Sequence, residues 1–270
     1  MFRVSTKQRA ARWLACTMLA GCAEASAQQA GAPPPPDSTQ SFVTCPVYRD
    51  TDMGRKSGCW LADDSATATR YDVTWAPIKP QVGKPLLVEG VVTSEADTCG
   101  GVVLKPVRVS VLPGSCARSI VPPESFPGRP SPPPGEVLKP ASEPRTLPPP
   151  PYEKREFQIY FEFGRDFLIY QHAEVVLEKI QLYVQASQAR SVLVQGFSAS
   201  DLVIRSGRFL TEPIAVAKAR ASVVALALHR LGVPDGVVTT EWHGSPSTTD
   251  LEGGKLPESS KRRVTITVTP

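Results

Sequence analysis

The chain has 270 residues, with 30 Lys+Arg against 26 Asp+Glu, 28 Pro and 6 Cys. That length suits one or two ordinary domains and is too small for an elaborate multidomain enzyme. Four cations, Arg3, Lys7, Arg9 and Arg12, precede the first acid, Glu24, and without them the formal charge of +4 falls to zero, which argues against a basic nucleic-acid binder.

Trp13 to Ala20 is an apolar stretch broken only by Thr17, well short of the ~18–20 residues that a spanning helix needs. It follows the four cations and ends in Leu19-Ala20-Gly21-Cys22. This segment resembles a bacterial lipoprotein signal peptide with its lipobox, which implies cleavage after residue 21 and diacylglyceryl attachment to Cys22. Ala23 follows Cys22 in place of an aspartate. By similarity to sorted lipoproteins, that implies an outer-membrane anchor, with the protein held by lipid and facing the periplasm. The competing reading is simple secretion, with Ala25-Ser26-Ala27 as a cleavage site before Gln28. Residues 22–41 then read as a polar tether, including Pro33 to Pro36; from Ala23 to Gln40 it could extend ~60 Å at ~3.3 Å per residue.

Residues 42–118 form the first candidate module. Cys59-Trp60-Leu61, Tyr71 to Trp75, Leu86 to Val92, Gly101 to Leu104 and Val107 to Leu112 are short apolar or β-branched runs between Gly, Pro and Asp signals. They predict about five strands of a small antiparallel sheet or barrel. Trp60 and Trp75 read either as parts of a thin core or as an exposed ligand platform. Cys45, Cys59, Cys99 and Cys116 make an even set, which predicts two disulfides in an oxidising compartment. Three pairings are possible, and Cys45–Cys59 with Cys99–Cys116 closes the shortest loops. A zinc site built from the four cysteines competes, but no C-x-x-C pair occurs.

Between Pro122 and Pro151, 13 of 30 residues are proline. Such density excludes helices and central strands, so residues 119–152 read as an extended spacer of at most ~90 Å at ~3.1 Å per residue. A ligand for a PxxP-reading domain is the other reading.

From residue 153 onward the periodicity changes. Phe157 to Phe163 alternates as a strand, and Ala173, Leu177, Ile180 and Val184 mark one helix face. Val192-Leu193-Val194 predicts a second strand. Thr211-Glu212-Pro213 predicts a helix start with Thr as cap, and Ala217, Ala221, Val224, Leu228 and Leu231 form its stripe before Gly232 and Pro234. Val237 to Trp242 and the alternation of Val264, Ile266 and Val268 predict two more strands. The result is an α+β chain whose residues 153–270 run β-α-β-α-β-β in two layers, preceded by the disulfide-bonded all-β module.

Arg220-Ala221-x-x-Val224-x-x-x-Leu228-x-x-x-Gly232-Val233-Pro234 and Arg262-Arg263-Val264-Thr265-Ile266 resemble the two sequence signatures of the OmpA-like, peptidoglycan-associating domain. The resemblance covers roughly residues 155–270 and implies that fold. It also implies a zwitterionic ligand, the diaminopimelate of the peptidoglycan stem peptide. An arginine fork suits the carboxylate and an acid the ammonium. Arg220 falls on the family's ligand arginine, and Ser198 and Arg263, which fall within its motifs, are expected to join it in binding peptidoglycan. The family's G-[HYF]-[ST]-D reads Gly196-Phe197-Ser198-Ala199 here, so Ala199 stands at the acid position. The following loop is about six residues longer than usual in the family. Asp201 either takes over the acid's role or is a solvated loop acid; Arg205 and Arg208 lie in the same loop.

His172, His229 and His243 form no recognisable catalytic pattern, and G-x-S-x-G, P-loop and H-E-x-x-H motifs are missing from the sequence. No cofactor is expected. The leading expectation is a non-enzymatic envelope lipoprotein associated noncovalently with peptidoglycan, with residues 42–118 offering a surface to another envelope protein. The alternative is an envelope or secretion-system scaffold whose OmpA-like domain has lost diaminopimelate binding.

Overall fold

A computed structural model describes residues 34–51, 58–128, 139–140, 142–169, 172–249 and 255–270. Cys22, the signal segment and most of the tether lie outside the described residues. Among these, no helix is long and apolar enough to cross a membrane.

The N-terminal part contains seven strands, β1 (Thr39–Thr44), β2 (Pro46–Arg49), β3 (Cys59–Asp64), β4 (Thr69–Asp72), β5 (Leu86–Val92), β6 (Val102–Val111) and β7 (Ser119–Val121). Their order is β1-β5-β6-β4-β3-β2-β7. The first strand starts inside the expected tether. The sheet is mixed where the alternation suggested antiparallel pairing, because β4 runs parallel to β6 and β2 parallel to β7. Phe42, Tyr71, Leu86, Val88 and Leu104 fill one core, and Trp60 and Trp75 pack against it, partly buried. That arrangement is the structural reading of the two tryptophans.

The expected disulfide pairing is corrected. Cys59 is bonded to Cys99, 40 positions away, and neither the Cys45–Cys59 nor the Cys99–Cys116 bond forms. Loop length does not decide the pairing. Cys59 opens the interior strand β3 opposite Arg49, and it shares a buried cluster with Val47, Leu61 and Cys99. Cys45 and Cys116 carry free thiols.

The C-terminal part contains β8 (Arg155–Tyr160), α1 (His172–Ser187), β9 (Ser191–Ser198), a hairpin of β10 (Val203–Arg205) and β11 (Arg208–Leu210), α2 (Ile214–Arg230), β12 (Val238–Gly244), the short α3 (Pro257–Ser260) and β13 (Arg263–Thr269). The four main strands lie in the order β12-β9-β13-β8, with β12 parallel to β9 and β13 antiparallel to both its neighbours. Helices α1 and α2 cover one face through Leu177, Ile180, Val224 and Leu228, all buried against Val192, Val194, Val264 and Ile266. Leu231, expected in the stripe, is instead exposed beyond the last turn. Gly232 then takes φ +88°, and Val233 N–H returns to Leu228 O at 3.0 Å, closing the helix end. Thr211 does not cap α2. Its hydroxyl donates to Ser200 O, and Pro213 occupies the cap position.

The loop that is longer than the resemblance implies has become the β10–β11 hairpin, which rests on the N-terminal sheet. Val43 N–H donates to Ser206 Oγ at 3.0 Å and Arg205 Nε to Ser41 Oγ at 2.8 Å. Leu210 is buried with Leu87 and Leu112, and Leu256 with Val91. Arg262 forms a buried ion pair with Glu89 of β5, and Phe163 N–H donates to Ser110 Oγ of β6. The two halves therefore share a seam of apolar and charged contacts. The proline-rich stretch also departs from a free spacer where it is described. Arg145 Nε is bonded to Glu178 Oε1 of α1 at 2.5 Å, and Tyr152 packs edge-on against Tyr183.

Candidate functional site

Arg220 lies two turns into α2, on the side facing β9. Gly196 of β9 allows this close approach, since a methyl group there would sit 2.1 Å from Ala217 O. The guanidinium is consequently driven inward and is 0% exposed. A buried arginine must find partners for five N–H donors and one positive charge.

All five donors are taken. Nε donates to Arg165 O at 2.8 Å, Nη1 to Phe197 O at 2.8 Å and Nη2 to Glu162 O at 2.9 Å. The other two bonds run to one carboxylate, with Nη1 to Glu212 Oε2 at 2.9 Å and Nη2 to Glu212 Oε1 at 2.6 Å. Glu212 is itself buried and accepts two backbone donors, Gly164 N–H at 2.6 Å and Ala199 N–H at 2.7 Å. Burial pushes the Glu212 carboxyl up, but the hydrogen bonds and charge of Arg220 outweigh it and hold the carboxyl below its usual range. The pair is a bidentate fork whose remaining positions are filled by backbone.

The sequence did not mark Glu212, which sits just before the helix and eight positions from Arg220. The signal was indirect: Ala199 removes the acid that the resemblance places near Arg220, and a buried arginine requires a counter-charge. Glu212 supplies it, and the N–H of Ala199 completes its coordination.

The remaining expected residues do not gather around an open cleft. Asp201 is exposed; Lys261 Nζ lies 3.5 Å from its Oδ2. A hydrogen bond from Ser245 and the charge of Lys261 hold its carboxyl below the usual range. Ser198 is buried at the end of β9, and its Oγ has no hydrogen-bond partner among the described residues. Arg263 is buried over the Phe197 ring at 4.7 Å and donates to Ser247 O and Ser260 O. Arg205 is turned toward the N-terminal sheet by its bond to Ser41.

No His/Cys/Asp/Glu group suited to a metal occurs among the described residues. A separate cavity of about 670 Å³ lies between α1 and α2, with Leu177, Val223 and Leu226 in its walls and Arg145 and Glu178 at its rim. His229 faces Val233 O and Asp235, and His243 stacks on Phe197.

Solved structures similar to this chain include the OmpA-like domain of FopA1 from Francisella tularensis, at 16% identity, covering 43% of this chain and 73% of that one with a TM-score of 0.33. The C-terminal part is similar to OmpA-like domains. The peptidoglycan-associated lipoprotein from Burkholderia pseudomallei aligns at 20% identity over 42% of this chain and 89% of its own, again with a TM-score of 0.33. The cell wall anchor of the T6SS from Pseudomonas aeruginosa aligns at 21% identity over 43% and 82%, with a TM-score of 0.33. No protein-family model matches the chain, and no curated relative does.

Proposed function

We propose that this chain is a non-enzymatic envelope protein whose OmpA-like part works as a protein-interaction scaffold, its diaminopimelate site filled by its own side chain. The observation that carries this reading is the Glu212 carboxylate in the Arg220 fork. A ligand carboxylate needs the same two donors, and displacing Glu212 would leave a buried anion unpaired, at a cost of about 3–5 kcal/mol. The loop at whose start the resemblance places the ligand acid instead builds the hairpin that joins the two halves. Its outer side presents Ile204 and Phe209, cross-strand partners that are 54% and 70% exposed, as a contact surface for a protein partner.

The anchoring belongs to the same proposal. Acylation of Cys22 in the outer membrane holds the folded part in the periplasm, as the lipobox resemblance implies, and intact-mass analysis of the mature N-terminus tests it. A chain starting unmodified at Gln28 removes the anchor.

The functional test is co-sedimentation with purified diaminopimelate-containing peptidoglycan, run beside crosslinking in intact envelopes. The scaffold reading expects the wild-type chain in the supernatant and a defined protein in the crosslinked product, diminished by Phe209→Ser.

A second reading keeps noncovalent wall association and moves the contacts to the surface. It is favoured by the exposed Asp201 acid beside the mostly buried Lys261 base, a pair of charges that suits the ammonium and carboxylate of a zwitterion. Wild-type sedimentation that is lost in Asp201→Ala or Lys261→Ala would establish it and displace the scaffold reading.

A further inference from the structure

We propose that Cys45 and Cys116 are a second disulfide site, so that the oxidised protein carries Cys59–Cys99 and Cys45–Cys116. Both halves of this site are brought to one stretch of backbone, residues 83–86. Thr44, the last residue of β1, lies opposite Leu86, and Cys45 follows it directly. Beyond β6 the chain turns back along the same stretch, with Leu112 N–H donating to Pro85 O at 2.8 Å and Cys116 N–H to Gly83 O at 3.1 Å. Both cysteines are half-buried, and the parallel pairing of β2 with β7, with Val47 opposite Ser119, runs the segment that follows Cys45 alongside the segment that follows Cys116.

The surroundings favour a closed pair over a reactive single thiol. Burial, together with the neighbouring Cys45 sulfur, pushes the Cys116 thiol up to about 11, so little of it is thiolate at neutral pH and its direct attack on small electrophiles is slow. The adjacent sulfur remains available for intramolecular exchange. The pair sits beside the hairpin, where Arg208 Nη2 would lie 3.8 Å from a methyl group on Gly114. Joining the end of β1 to the segment after β6 fixes the sheet edge on which that hairpin rests.

The reaction is thiol–disulfide exchange with a dithiol oxidant in its disulfide form. One cysteine thiolate attacks the oxidant, forming a mixed disulfide and releasing one oxidant thiolate. The second cysteine then displaces the remaining oxidant sulfur. Cys45 and Cys116 lose two protons and two electrons in total, and the oxidant leaves as a dithiol.

The test uses the full chain exported to an oxidising compartment, its free thiols blocked with N-ethylmaleimide in acidic denaturant, and its digest mapped without reduction. The expected result is a linked peptide pair joining Cys45 to Cys116 that separates on treatment with dithiothreitol. In Cys45→Ser, Cys116 should appear alkylated. A wild-type digest with Cys45 and Cys116 both alkylated beside an intact Cys59–Cys99 link overturns the proposal, as does a link from Cys45 to Cys59 or Cys99. A readout independent of peptide recovery is thermal melting without reductant. The wild type should melt roughly 5–10 °C above the Cys45→Ser/Cys116→Ser variant, a shift of the size expected for one crosslink. Equal melting temperatures would count against the link.

Discussion

Arg220 and Arg262 are both buried against a carboxylate, but Glu212 comes from the same half of the chain and Glu89 from the other. The first pair is enclosed by its own neighbourhood, with backbone N–H groups of Gly164 and Ala199 on the carboxylate and three carbonyls on the guanidinium. The second spans the seam, where Arg262 also meets Ser259 Oγ and Phe161 O. Similar chemistry thus serves two purposes. Around Arg220 it completes an interior that the resemblance would leave open to a ligand, while around Arg262 it binds two halves into one body.

Breaking the inner pair should have the largest effect. Arg220→Ala strands a buried carboxylate and three carbonyls, and is expected to lose about 3–5 kcal/mol of stability in urea unfolding. Replacing both partners, as Arg220→Met with Glu212→Leu, should recover much of that loss, because no charge is left unpaired. At the seam, Glu89→Ala leaves Arg262 buried without its anion and should cost about 3 kcal/mol. Here the added sign is structural: limited proteolysis near residues 200–211 should accelerate, whereas Arg220→Met/Glu212→Leu should leave that stretch protected.

The pH dependence separates the pairs further. The Glu212 carboxyl is held below its unfolded value, so its contribution is present above about pH 4.5, the ordinary glutamate range, and is lost as pH falls through the folded value. The stability gap between wild type and Glu212→Gln should therefore be widest near neutrality and shrink in acid. Glu162 behaves oppositely. Burial raises its carboxyl despite nearby Arg108, Arg262 and Arg220, so Glu162→Gln should gain stability relative to wild type as pH rises above that range. Urea titrations at neutral and acidic pH check both signs. The smallest effect belongs to the surface. Asp201→Ala removes only the contact of an exposed carboxylate with Lys261 and should leave the melting temperature nearly unchanged, which differential scanning calorimetry checks.

The helices and main strands of the C-terminal part were legible because their apolar spacing is regular: Ala173, Leu177, Ile180 and Val184 are buried together, as are Ala217, Ala221, Val224 and Leu228. The depth of Arg220 was not. Sequence spacing puts it on the edge of the stripe, but the close approach at Gly196 carries it fully inside. Glu212 was invisible for a related reason, since its partner lies across a helix start where no i,i+4 rule applies. In the N-terminal part, short strands carry little periodicity, and the parallel pairings of β2 with β7 and β4 with β6 depend on which distant strands meet. The Cys59–Cys99 bond follows from that meeting and could not be read from loop length.

Glu212 N–H donates to Ala199 O at 2.9 Å, and Ala199 N–H returns to the Glu212 carboxylate at 2.7 Å. Residues 200–211 thus leave the domain and re-enter it through one hydrogen-bonded gate. Arg205, Ser206 and Leu210 hold this excursion to the N-terminal sheet, so substitutions at the outward Ile204 and Phe209 can re-aim what the hairpin touches without moving the carboxylate that completes the interior. A new partner specificity can be written at those two positions while the seam and the gate stay in place.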